Sequence, residues 1–441
     1  MSSNSERSSR LGRRAFVATA GAAGVAGLAG CMGGNSGTKS GGGGGKNGTT
    51  TVEFWTLFGG GDGKAMKQMV GTFNEQHDSV QIKRQRLPWD QYYNKLYTAL
   101  TGGNPPDLAV VHATRLAKYA DVVEPLGDMA GSNVGDKYVS SIWKKMNVDG
   151  KRLALPLDTH PAGYWYNKDI FEQAGLDPEK PPESAEEFER ACNAIVEKTG
   201  KLAFSPAPYG MTELLRDYFL RLRQLDGRLL TEDGKKAAFD SQKGVEVAEY
   251  LAKVSGTWNW DKASIGNNRG TKAFRAGDLA ILQNGTWYYS VAEQQDFDYG
   301  MFRPFVQPGK VQNATWANSH TLAIPRNPKR SDAASEAAVT AAKWLTQEGG
   351  LTWGTVAGHL PASQSALEAD ELRNATVWKK SLKTFYEIAK ADEIAYVPRN
   401  EKVTEYKEPI MKNLSQIYTQ KVPPKQGISQ AAKRVDQILS S

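Results

Sequence analysis

Five histidines, one glycine-rich loop and a scatter of carboxylates are the residues of this 441-residue chain that could do chemistry. His77, His112, His160, His320 and His359 never fall three or four positions apart, so no helix face pairs them as metal ligands. There is no HExxH, CxxC or GxSxG stretch, which removes the commonest metalloprotease, redox and serine-hydrolase patterns. Gly59-Gly60-Gly61-Asp62-Gly63-Lys64 approaches a phosphate loop but fails in detail. Phe58 stands where the first glycine belongs, and Ala65 follows Lys64 where a Ser or Thr would hold magnesium. What remains is a glycine loop feeding a helix N-terminus, whose free N–H groups suit ligand hydroxyls or an anion. Asp62, Asp158, Glu213 and Asp217 could supply the two carboxylates of a glycosidase, which stand roughly 5–10 Å apart, but nothing in the spacing places them. The expectation is therefore a chain without catalytic residues, cofactor or metal. The wide separation of His112, His160 and His320 along the sequence argues against a metal site.

The elements that must position these residues alternate between strand and helix. Thr51–Leu57 alternates polar and apolar residues, and after the glycine loop Met66, Met69, Val70 and Phe73 recur with helical spacing. Val80–Arg86 reads as a second strand, Tyr93, Leu96, Tyr97 and Leu100 mark a second helix, and Asp107–Val111 is a short buried strand. This is the grammar of an open, mainly parallel sheet with helices on both faces. A comparable grammar restarts after Leu157, with a strand at Tyr164–Tyr166 and a helix capped by Ser184, with Glu187 three residues on, and ended by Gly200. The last 120 or so residues read as mostly helical. With 11 Trp, 17 Tyr and 14 Phe the chain can fill large cores, and its length favours more than one of them.

The N-terminus reads as an address. Arg13-Arg14 with Phe16, a mild apolar run over Ala18–Gly30 and Leu28-Ala29-Gly30-Cys31 resemble a twin-arginine signal with a lipobox over residues 1–31. Cys31 is then the lipidation site, and two acyl chains make a stable membrane anchor. Residues 32–50 are a Gly-rich flexible tether with a reach of about 25 Å. No segment offers the roughly 20 apolar residues that span a bilayer. Without the first 30 residues the chain has 51 basic and 47 acidic residues, too balanced for a nucleic-acid footprint. Cys192, the other thiol, lies in an apolar helical pattern and reads as buried and inert.

Several short stretches, in order, resemble the extracellular solute-binding proteins of ABC importers, carbohydrate class, which includes the maltose-binding protein. They are Val52-Glu53-Phe54-Trp55 with Phe73-Asn74, Gly103-Asn104-Pro105-Pro106-Asp107-Leu108, and Leu155-Pro156-Leu157 followed by Tyr166-Asn167-Lys168-Asp169-Ile170-Phe171. Further on come Phe274-Arg275-Ala276-Gly277-Asp278-Leu279-Ala280 with Asn284-Gly285-Thr286-Trp287, and Leu360-Pro361-Ala362. The resemblance implies an α/β fold of two doubly wound lobes, periplasmic-binding-protein type II, with the ligand cleft between them and C-terminal helices on the second lobe. By that analogy the N-terminal lobe is 51–157 plus 317–361, and the C-terminal lobe is 158–316 plus 362–441.

A pyranose has an apolar C–H face and a polar rim, so its site needs flat aromatics beside donors and acceptors. The resemblance puts a stacking aromatic at Trp287, a second at Trp316 where the chain crosses again, and a third at Tyr209 in Ala207-Pro208-Tyr209. Trp165 in Thr159–Asn167 adds a fourth ring. Phe58, Asp62, His112 and Arg115 follow the first and third strands, where open α/β sheets bind ligands. Asp158 and His160 stand at the first crossing, and Tyr406 and Arg399 lie near a late aromatic position. Each ring also reads as lobe packing, and each charge as a solvated loop.

The expected function is capture of a sugar or oligosaccharide outside the membrane, by a monomer that delivers it to permease subunits and their ATPase. The alternatives are a glycerol-phosphate-type ester in the same fold, a binding protein serving a chemoreceptor, and an anchored carbohydrate-active enzyme.

Overall fold

The computed structural model describes residues 48–441. The signal, the lipidation site Cys31 and nearly all of the tether lie outside the described residues. Thr50–Thr56 buries Val52 and Phe54 while Thr51 and Glu53 stay exposed, the pattern of a strand covered on one face. It pairs in parallel with Val80–Arg86 and with Leu108–His112. Helices Gly60–Gln76 and Trp89–Thr101 supply the crossovers that parallel pairing requires. His320–Ala323 and Leu155–Pro156 complete a five-stranded sheet on the Leu108–His112 side. Its core gathers Phe54, Met66, Met69, Phe73, Leu96, Val110 and Leu345.

The second sheet runs Tyr299–Phe302, Ala162–Asn167, Leu279–Gly285, Leu202–Ser205. Only Leu279–Gly285 with Leu202–Ser205 is parallel; the other two pairs are antiparallel. The expected mainly parallel sheet is corrected here. Ala162–Asn167 arrives directly from the first sheet, with no crossover helix to set a parallel direction. In the first sheet too, His320–Ala323 runs antiparallel to both neighbours. Tyr164 and Tyr166 pack into a core shared with helices Met211–Gln224, Gln242–Ser255, Val403–Tyr418 and Pro424–Ser440, and Trp165 packs into a separate core on the other face.

Local signals act where they were read. The Ser184 hydroxyl accepts from the Glu187 N–H at 3.2 Å, opening helix Ala185–Thr199, and Gly200 ends it at φ 67°. Cys192 is fully buried in that helix, and burial pushes its thiol up. No helix among the described residues is long and apolar enough to cross a membrane.

Candidate functional site

Strand pairing between distant segments assembles a cluster that the linear spacing hides. His320 lies opposite His112 in the antiparallel pair of Leu108–His112 with His320–Ala323. Asp158–Thr159 pairs with Leu360–Pro361, Leu360 opposite Thr159, which carries His359 toward His160. Four of the five histidines thus line one cavity of about 340 Å³, at the small end of the ~300–1,000 Å³ usual for ligand sites.

Asp158 is the hub. Its carboxylate is completely buried and accepts four hydrogen bonds. The donors are His160 Nδ1 at 2.9 Å, His320 Nδ1 at 2.7 Å, the His320 backbone N–H at 2.9 Å and Trp353 Nε1 at 2.8 Å. Burial opposes its ionisation, but His320, His160 and their hydrogen bonds outweigh that and hold the carboxyl well below the usual range. Because an ionised carboxylate only accepts, both imidazoles carry a proton on Nδ1. Burial, reinforced by His320, pushes His160 down to about 3. Burial followed by His320 and His160 holds His112 well below the imidazole range. Both rings are therefore neutral at physiological pH. His359 differs: burial opposes its charge, but the Asp62 carboxylate and then Asp158 raise it. Its Nδ1 meets Thr286 Oγ1 at 2.7 Å, and its Nε2 stands 3.3 Å from Asp62 Oδ1 without hydrogen-bond alignment.

The facing wall comes from Trp287 and helix Met211–Gln224. Trp287 follows strand Leu279–Gly285, and its ring lies on the backbone there: a Cβ on Gly285 would fall 1.9 Å from Trp287 Cζ3. Glycine is required by that approach. The Arg216 guanidinium sits 4.8 Å from the Trp287 ring centroid and 4.2 Å from that of Trp316, and its Nη1 donates to Glu213 Oε1 at 3.2 Å. Thr212, Glu213 and Arg216 line the cavity from this helix, and Trp89 and Asp62 line it from the opposite side. A larger hollow of about 490 Å³ beside Glu179 and Lys180 gathers only exposed charges of one turn and its adjoining helix around an apolar floor.

Residues 59–351, more than half of the chain, match the family model described as bacterial extracellular solute-binding protein. The chain belongs to that family. Sugar-binding proteins are also similar to it in three dimensions. The cyclic alpha-maltosyl-1,6-maltose binding protein of Arthrobacter globiformis superposes with a TM-score of 0.76 at 21% identity, covering 89% of this chain and 99% of that one. The shared fold is the two-lobed α/β architecture. An arabinooligosaccharide-binding protein of Halalkalibacterium halodurans is 29% identical over 213 residues, 46% of this chain and 45% of that protein, so the match spans under half of that relative. The sn-glycerol-3-phosphate-binding periplasmic protein of Escherichia coli is 22% identical over 417 residues, 88% of this chain and 92% of that protein.

Of the residues expected at the site of this solute-binding protein, Trp287, Asp62, His112 and His160 line the cavity, and Asp158 lies directly beneath it. Phe58 is buried one layer down, edge-on to His320 at 4.9 Å. Several expectations are corrected. Trp165 is fully buried against Tyr288 and Tyr299, on the face of its strand turned toward the third core. Trp316 is buried behind Arg216 and does not line the cavity. Tyr406 is fully buried in the helical core, its hydroxyl donating to Pro398 O at 2.6 Å. Arg399 is tied to Lys145 O, and Arg115 stacks 4.1 Å over Tyr93 while donating to Thr404 Oγ1 at 3.1 Å. Tyr209 is half-buried just before helix Met211–Gln224 and does not line the cavity. Arg216, Thr212 and Trp89 escape a reading of the sequence because each sits in an ordinary amphipathic helix. His359 was within reach, since it directly precedes the Leu360-Pro361-Ala362 segment.

Proposed function

We propose that the chain captures a small sugar or one end of an oligosaccharide in this cavity and hands it to an ABC importer. The observation that carries the reading is the pairing of the half-buried Trp287 ring with a dense polar rim of Asp62, Glu213 and imidazoles, those of His112 and His160 uncharged, in a cavity sized for one or two sugar rings. The rim offers acceptors and donors to hydroxyls, and the indole suits the apolar face of a pyranose. The carbohydrate ligands named for the relatives support the same class. On this reading residues 51–157 with 317–361 and 158–316 with 362–441 are the lobes. Ligand touching both favours the closed form, which permease subunits and their ATPase recognise. Cys31 holds the monomer at the outer face of the membrane after twin-arginine export, and the bound sugar leaves unchanged.

A phosphate ester is the weaker reading. The cation in the cavity, Arg216, is already paired with Glu213, and Arg115 and Arg399 are engaged elsewhere. A thermal-shift panel of neutral mono- and oligosaccharides beside glycerol phosphodiesters separates the two. A sugar at 100 times its Kd is expected to add about 2.7 kcal/mol of stability, and the esters none. A shift produced by the esters alone would reverse the assignment.

A further inference from the structure

Beyond solute capture, the histidine cluster itself has the construction of a metal site. His160, His320 and His359 each give Nδ1 to an oxygen partner, Asp158 for the first two and Thr286 for the third. This is how proteins orient ligating imidazoles, with the outer partner fixing the tautomer and aiming the other nitrogen. All three rings line the same cavity, and the Nε2 of His359 lies there without an aligned hydrogen bond, 3.3 Å from Asp62 Oδ1. Ring centroids are 4.3 Å apart for His160 and His320, 5.2 Å for His320 and His359, and 5.7 Å for His160 and His359. Potential ligand atoms of Asp158, His160, His320 and His359 lie within 4.8 Å of one another. Tetrahedral zinc with bonds of about 2.0–2.1 Å separates its nitrogen ligands by about 3.4 Å, a spacing that three imidazoles with centroids this close reach by side-chain rearrangement.

We propose that His160, His320 and His359 bind one divalent transition-metal ion through Nε2, with Asp158 as the positioning carboxylate and a fourth coordination position open to the cavity. Nitrogen ligands of this kind suit Zn²⁺, Cu²⁺ or Ni²⁺ over Mg²⁺ or Ca²⁺. Asp62 and Glu213 line the same cavity, where an oxygen of a bound solute can complete the shell. The inference is independent of the sugar reading.

The test is equilibrium dialysis of the full chain against ZnCl₂ followed by metal analysis, with the visible spectrum of the Co²⁺ form as a second measurement. Expected are one retained zinc per chain and the intense bands of tetrahedral cobalt. His160→Gln/His320→Gln is expected to bind zinc at least about 100-fold more weakly, and Asp158→Asn about 10–100-fold. His77→Gln, which changes the one histidine outside the cavity, should bind as the unmodified chain does. The proposal is overturned if the unmodified chain keeps no zinc, or if the double variant keeps as much. If the double variant does not fold, the retained zinc and cobalt bands of the unmodified chain decide the matter alone. A sugar-induced thermal shift that survives EDTA in a chain that keeps no zinc would remove the metal and leave the sugar reading intact.

Discussion

Asp217→Ala is expected to destabilise the protein by about 3–5 kcal/mol, the range for removing one partner of a buried ion pair. Asp217 and Arg221 stand one turn apart on helix Met211–Gln224, both fully buried. Arg221 Nε donates to Asp217 Oδ2 at 2.8 Å and its Nη2 to the Tyr164 hydroxyl at 3.0 Å, while that hydroxyl donates to Asp217 Oδ1 at 2.6 Å. The guanidinium also lies 4.1 Å over the Tyr250 ring. Removing the carboxylate leaves a buried cation and a buried hydroxyl without their acceptor, which is where the cost arises. Replacing both charges by apolar residues, as in Asp217→Leu/Arg221→Met, should cost less than the single change. Urea unfolding followed by tryptophan fluorescence checks both, and a loss under about 1 kcal/mol for Asp217→Ala would place the pair among surface ion pairs in worth. The same helix presents Glu213 and Arg216 to the cavity one turn earlier, so this buried pair also sets where the site's wall stands.

Trp287→Ala is expected to weaken sugar binding about 30-fold or more, equivalent to about 2 kcal/mol, the scale of a buried aromatic anchor. The ring is held against the bare backbone of Gly285, with the Arg216 guanidinium 4.8 Å from its centroid. Its position is therefore set before ligand arrives, and little ordering cost is added on binding. Trp287→Phe should lose less, since a smaller flat face remains. Titration calorimetry with the sugar that gives the largest thermal shift makes the comparison. An alanine variant within threefold of the unmodified affinity would show that the indole serves packing only.

Much of the fold was legible from local chemistry. Ser184, Glu187 and Gly200 bound a helix through hydrogen bonds that involve neighbours a few residues away, and the buried-exposed alternation of Val52 and Phe54 is a property of one strand. The site was legible only in part, because it depends on pairing between distant segments. Nothing near His112 announces His320, 208 positions later, as its cross-strand neighbour; the register of the sheet decides that. Ala162–Asn167 illustrates a second limit. All six of its residues are buried, with a core on each face, so composition gives no hint that Trp165 turns away from the cleft while His160, two residues before the strand, turns into it. The covering of Trp316 by Arg216 is a third case, since an amphipathic helix does not reveal which of its polar residues will lie on a ring.

Small-angle scattering of the full chain, with and without the best sugar of the panel, bears most directly on capture by closure. The radius of gyration should fall when sugar is added and return when it is dialysed away, because on the proposed reading a ligand that touches both lobes favours the closed form. Superimposable curves at saturating sugar would contradict that account.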